Sequence, residues 1–112
     1  MIVYGIPNCD TIKKARKWLQ AHEVDYQFHD FRKDGLDPAL LKNWSATVGW
    51  ETLLNKRGTT WRQLPEETRE SINEKAAVKI MLEHPAIIKR PVLVKGKKIL
   101  VGFNEAEYQK LL

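Results

Sequence analysis

The most chemically capable side chain in this sequence is a single thiol. Cys9 stands in Tyr4-Gly5-Ile6-Pro7-Asn8-Cys9-Asp10-Thr11, between a short apolar run and a segment with helical periodicity. A cysteine at the start of a helix meets backbone N–H groups that have no intrahelical partner, and these favour the thiolate over the thiol. The thiolate is the nucleophile, and such a position lowers a free-thiol pKa from about 8.5 to roughly 3.5–7.5. Lys13 and Lys14, one turn on, are expected to add to this and Asp10 to oppose it. A small buried cysteine is the plainer alternative. A strand-loop-helix junction with Pro7 close before the sulfur is a poor packing position, so the reactive reading is preferred.

Ile12 occupies the place where a Cys-x-x-Cys motif would carry its second thiol. The chain therefore has no resolving thiol of its own. The expected cycle is a nucleophilic attack by Cys9 on a sulfur or an oxidised centre, followed by release by an external thiol, either glutathione or a separate protein thiol. One cysteine also excludes an intramolecular disulfide framework, and with no leader-like segment at Met1-Ile2-Val3-Tyr4 a reducing, cytoplasmic location is expected. No stretch approaches eighteen apolar residues, so no membrane span is expected.

The remaining composition sets bounds. The 112 residues, 43% hydrophobic and 29% charged, predict one domain spanning 1–112, able to bury roughly two thirds of its unfolded surface. Nineteen basic against fourteen acidic residues give a net charge of +5, which draws anions without naming one. His22, His29 and His84 are scattered with no second cysteine near them, so no metal is expected, because zinc sites need three or four convergent ligands. Lys95, Lys97, Lys98, Arg57 and Arg62 together with Trp44, Trp50 and Trp61 superficially match the basic and aromatic mixture of nucleic-acid binders. No one element carries a basic stripe, so the lysines read as solvated, the tryptophans as core, and nucleic acid is not an expected partner.

The elements that must position Cys9 follow from periodicity. Ile2-Val3-Tyr4 reads as a buried strand, and Asp10 to His22 as an amphipathic helix with Ile12, Ala15, Trp18 and Leu19 on its apolar face. Val24 to Phe31 alternates apolar and polar, the period of a strand. From about 37 to 85 the pattern is helical: Asp37-Pro38 opens a helix that Gly49 stops, Thr52 to Gly58 reads as a turn and loop, Pro65-Glu66-Glu67 opens a further helix, and Asn73 to His84 forms another. Arg90 to Val94 and Ile99 to Val101 predict a hairpin about Lys95-Gly96-Lys97-Lys98, with Asn104 capping a last helix through Leu112. The order is β-α-β, a helical insertion, then β-β-α. That is a mixed α/β, thioredoxin-like fold, with the first two strands parallel and the closing hairpin antiparallel.

With these landmarks assembled, the sequence resembles the arsenate reductase-like (ArsC/Spx) family, thioredoxin-fold proteins that include the Spx regulators and the small YffB-like proteins. The resemblance covers the whole chain. It rests on Pro7-Asn8-Cys9 and its helix, Leu53-Leu54-Asn55-Lys56-Arg57-Gly58-Thr59, His84-Pro85 and Lys89-Arg90-Pro91-Val92. The run from Leu53 to Trp61 and the single thiol look most like the YffB-like branch. The resemblance implies that Arg90 projects towards the Cys9 thiolate and that Pro91 is the cis proline facing the thiol loop. It also makes Arg57, with Lys13 and Pro91, part of the substrate-binding set. Glutathione-coupled arsenate reductases of the family carry a histidine four residues before the cysteine and three arginines around it. Here Gly5, Asn55 and Gly102 stand at the histidine and two of the arginine places, and only Arg90 matches. What the resemblance implies is thus a thiol-dependent, glutathione-coupled reductase working through a mixed disulfide rather than true arsenate reduction. Its alternative is an Spx-like adaptor that binds the RNA polymerase alpha subunit without turnover.

Overall fold

The computed structural model describes residues 1–112. The chain divides into two compact units, one made of Met1–Asp34 with Arg90–Leu112 and the other of Gly35–Lys89.

The first unit is built on a four-stranded mixed sheet. Strand β1 (Ile2–Gly5) leads into helix α1 (Asp10–Ala21), and β2 (Gln27–Asp30) returns parallel to β1. Strands β3 (Val92–Lys95) and β4 (Lys98–Val101) form the hairpin, and β3 pairs antiparallel with β1, giving the order β2-β1-β3-β4. Gly96 turns the hairpin with φ 60°, the left-handed conformation that a two-residue connection demands of its first central residue. The two central strands supply the core: Val3 and Leu93 are fully buried and pack with Ala15 and Leu19 of α1 and with Tyr108 and Leu111 of the C-terminal segment. Burying each of these large side chains contributes about 1.5–3 kcal/mol.

Strand β2 is shorter than the alternation over 24–31 predicts. It lies at the sheet edge and pairs only with β1, whose four residues give it four partners, from Ile2 opposite Gln27 to Gly5 opposite Asp30. Val24 belongs to the helix end instead, its N–H donating to Leu19 O at 2.9 Å. The last helix, α7 (Glu105–Gln109), also stops short of Leu112, in turns closed by Leu111 N–H on Tyr108 O and Leu112 N–H on Gln109 O. Its cap is the expected one: Asn104 Oδ1 accepts from Glu107 N–H at 3.1 Å.

The second unit is helical. Helix α2 (Pro38–Val48) begins with Asp37 Oδ1 accepting from Ala39 N–H and packs on α3 (Trp50–Leu53) and on α6 (Glu74–Glu83), with α4 (Thr59–Arg62) and α5 (Glu66–Glu70) between. Helix α3 overlaps the start of the stretch Thr52 to Gly58 that the sequence suggests as a turn and loop, and α4 follows directly after it. Each is a single turn, too short to show a period, and α3 is secured by the buried Leu53. Leu41, Trp44, Leu53, Ala77, Met81, Ile87 and Ile88 are buried in this unit. The segment after α6 closes through a 3-10 turn (Pro85–Ile87) into an antiparallel bridge of Leu54 with Ile88, with Asn55 N–H on Ile87 O at 2.8 Å and Lys89 N–H on Leu53 O at 2.7 Å.

Replacing Asn104 by alanine should lower the unfolding free energy by about 1 kcal/mol, read from the urea midpoint, because the Glu107 N–H at the start of a short helix loses its side-chain acceptor. Lys110→Ala should change it by no more than a few tenths of a kcal/mol, its ion pair with Glu107 being solvent-exposed.

Candidate active site

Cys9 is the N-cap residue of α1, with extended backbone (φ −112°, ψ 129°), so its side chain sits over the first turn. It is a free thiol and half-buried. Burial pushes the thiol pKa up. Against this, the backbone N–H groups of Ile12 and Thr11 lower it, and Arg90 lowers it further, both as a nearby positive charge and as a side-chain donor. The sum lies below an ordinary cysteine. The neutral thiol makes no capping hydrogen bond of ordinary length. The same N–H groups nevertheless favour the anion, as an interaction that tightens on ionisation does.

The positioning is local. The loop Ile6 to Asn8 carries the chain from the buried β1 to the helix start, and Lys13 N–H on Cys9 O at 3.0 Å makes the first helical bond. Arg90 is placed by its neighbour: the Arg90-Pro91 peptide is cis, Pro91 is buried, and Val92 enters β3 directly opposite Tyr4 of β1. Pro91 O accepts from Gly102 N–H at 2.8 Å, which ties the segment to the end of β4.

Cys9, Arg90 and Pro91 therefore fall in one unit, with Arg90 acting on the sulfur. Lys13 is exposed, and neither it, Lys14 nor Asp10 is among the groups that shift the thiol. Their charges are solvated, whereas the N–H groups and the guanidinium face the sulfur. Arg57 lies in the other unit, exposed, beside Asn55, whose Oδ1 accepts from Arg57 N–H at 3.1 Å. No three His, Cys, Asp or Glu side chains converge anywhere in the structure. Two of the tryptophans read as core are not: Trp50 and Trp61 are half-buried and flank the ammonium of Lys56, at 5.7 and 5.6 Å from their ring centroids. A sequence offers no sign of that arrangement, since positions 50, 56 and 61 share no helical or strand period.

Two glycines govern which side chains the site can hold. A Cβ at Gly5 would collide with Ile12 Cδ1 and come within 3.1 Å of its Cγ1, and Ile12 is fully buried. Gly102 has open space around it but adopts φ 82°, where an L-residue is strained by about 1–2 kcal/mol. A histidine at position 5 would thus have to displace the buried Ile12 side chain, and an arginine at 102 would carry backbone strain.

A half-exposed N-cap thiol with an arginine beside it and a cis proline at the start of the central strand β3 of a β2-β1-β3-β4 sheet defines a thioredoxin-fold thiol site. The ArsC family model matches residues 4–111, and the chain belongs to that family. Over 107 residues it is 49% identical to an uncharacterized protein of Haemophilus influenzae, covering 96% of this chain and 94% of that protein. It is 29% identical over 115 residues to the global transcriptional regulator Spx of Lactiplantibacillus plantarum, covering 100% of this chain and 86% of the regulator. Among solved structures, a protein called YffB superposes with a TM-score of 0.94 at 47% identity, covering 97% of this chain and 96% of that one. No helix is long and apolar enough to cross a membrane.

Arg90→Gln should slow iodoacetamide labelling of Cys9 at pH 7 several-fold and move the pH profile of labelling upward, while Lys13→Gln should leave both unchanged. Because folding holds the Cys9 pKa below its unfolded value, the ionised thiol contributes stability above the unfolded pKa, and that contribution is lost as pH falls through the folded one. In Cys9→Ser the corresponding slope of stability against pH should vanish.

Proposed function

We propose that this chain is a thiol-dependent reductase, coupled to glutathione, that works through a mixed disulfide at Cys9. The observation that carries the reading is the half-exposed sulfur at the start of α1, its pKa lowered by the Thr11 and Ile12 N–H groups and Arg90. In the first step the Cys9 thiolate attacks one sulfur of a substrate disulfide. A Cys9–S–S bond forms, the substrate S–S bond breaks, and the electron pair leaves on the second substrate sulfur. In the second step a glutathione thiolate attacks the mixed disulfide when its other half is glutathione. Cys9 departs as thiolate and oxidised glutathione is formed, so a glutathionylated substrate and one glutathione become the free substrate thiol and oxidised glutathione.

Arg90 stabilises the attacking and departing Cys9 anion and offers a bidentate donor to a carboxylate of the tripeptide. Arg57, Lys13 and Pro91 complete the proposed substrate-binding set. Arsenate is disfavoured as a substrate, because Gly5, Asn55 and Gly102 supply none of the charge-assisted donors an oxyanion of that kind needs.

The kinship with Spx favours a second reading, in which the chain is an adaptor that docks on the RNA polymerase alpha subunit without turnover. Incubation with oxidised glutathione, followed by intact mass spectrometry, separates the two. The reductase reading expects rapid addition of one glutathionyl group, mapped to Cys9, absent in Cys9→Ser and reversed by reduced glutathione. Addition no faster than to an unstructured cysteine peptide, together with retention of the chain on the alpha subunit's C-terminal domain, would establish the adaptor instead.

A further inference from the structure

Between α1 and the start of α7 lies an open cleft of about 770 Å³, with Trp18 and Ala21 contributed by α1 and Phe103 and Ala106 by the segment after β4. We propose that this cleft binds a small aromatic molecule carrying one carboxylate. It belongs to the sheet-bearing unit, but it uses none of Cys9, Arg90 and Pro91 and does not rest on the reductase reading.

The first observation is what lines the cleft. Small-ligand sites of this size are typically apolar, with a few polar groups that orient the occupant. Trp18 belongs to the apolar face of α1, yet it is only half-buried, and the surface it leaves exposed borders the cleft. Phe103 is half-buried in the same way. Ala21 and Ala106 are exposed helical positions whose small side chains keep the space open.

The second observation is that both aromatic rings are fixed. His22 stacks on Trp18 with 3.8 Å between ring centroids, and its Nδ1 bonds to Trp18 O at 2.8 Å. Trp18 also meets the buried Tyr108 ring at 81°, and Phe103 meets that same ring at 86°. The Phe103 loop is tied by Gly102 N–H on Pro91 O, by the Tyr108 hydroxyl donating to Gly102 O at 3.3 Å, and by the Asn104 cap. Little side-chain ordering is therefore left to oppose binding. Fixed rings reward an aromatic guest through edge-to-face or offset contact, which an aliphatic chain of equal area does not make.

The third observation is charge. Lys14 and Lys17, one turn apart on α1, border the cleft together with a single carboxylate, Glu105. None of the three is in an ion pair. Two cations against one anion leave a surplus of one positive charge, which one carboxylate on the guest neutralises.

The test follows the backbone amide NMR signals of the full-length protein at pH 7. The probe is β-naphthoate, with β-naphthylmethanol as the same ring without charge, hexanoate as the same charge without a ring, and S-methylglutathione as a competitor that has carboxylates and no ring. β-Naphthoate should saturate with a Kd on the order of 1 mM or tighter, moving the signals of residues 14–21 and 103–106. The alcohol and hexanoate should each bind several-fold more weakly, and S-methylglutathione should not displace the naphthoate. Ala106→Leu and Ala21→Leu, which fill the cleft from opposite elements, should each weaken naphthoate about tenfold. Lys14→Gln combined with Lys17→Gln should abolish the preference for naphthoate over the alcohol, and Glu105→Gln should tighten naphthoate several-fold. Cys9→Ser should bind as the parent does, so loss of thiol reactivity and loss of this site are told apart. Shifts that never saturate, shifts that survive both alanine replacements, or equal binding of hexanoate overturn the proposal. So does broadening of these signals at rising protein concentration without any probe, relieved by Ala106→Leu, which assigns the cleft to a second copy of the chain.

Discussion

Everything the thiol site can do depends on a contest over one sulfur atom. Partial burial opposes a charge on Cys9, and the N–H groups of Thr11 and Ile12 with the Arg90 guanidinium restore it. The contest is decided by backbone. The two N–H groups exist as donors only because α1 begins at Asp10, and Arg90 faces the sulfur because the cis peptide to Pro91 and the pairing of β3 with β1 hold the chain there. The charges that a linear reading places near the thiol, Lys13 and Lys14, take no part, since a lysine on an exposed helix face keeps its ammonium in water.

This explains which parts of the molecule could be read in advance. Elements with several turns or a clear alternation declared themselves: α1 through Ile12, Ala15 and Leu19, the hairpin through Val92 to Val101, and α7 through the Asn104 cap. Cys9 and Arg90 were legible for different reasons, the thiol from its junction between strand and helix, the arginine only through kinship. What could not be read were features made by pairing across long stretches of chain. The length of β2 is set by how many residues β1 offers it, and the Lys56 cage is set by two one-turn helices that carry no period. The tryptophans at 50 and 61 looked like core because indoles usually are, and hydropathy does not distinguish a ring that packs on leucine from one that carries an ammonium.

The two units also differ in how they hold charge. In the sheet-bearing unit a helix terminus and one arginine act on a single thiol. In the helical unit Lys56, Arg57 and Lys89 line a cleft together with Glu51, beside the Leu54–Ile88 bridge.

Gly5 and Gly102 have a bearing on how this protein could be re-engineered. A side chain at position 5 has to displace the Ile12 Cδ1 methyl, and an L-residue at 102 carries about 1–2 kcal/mol of backbone strain, so variants at these two positions start from lower stability than the parent. A productive design would first shrink Ile12, making room beneath position 5, and would rebuild the β4 exit so that residue 102 no longer needs its left-handed turn. The order of those steps is dictated by sterics.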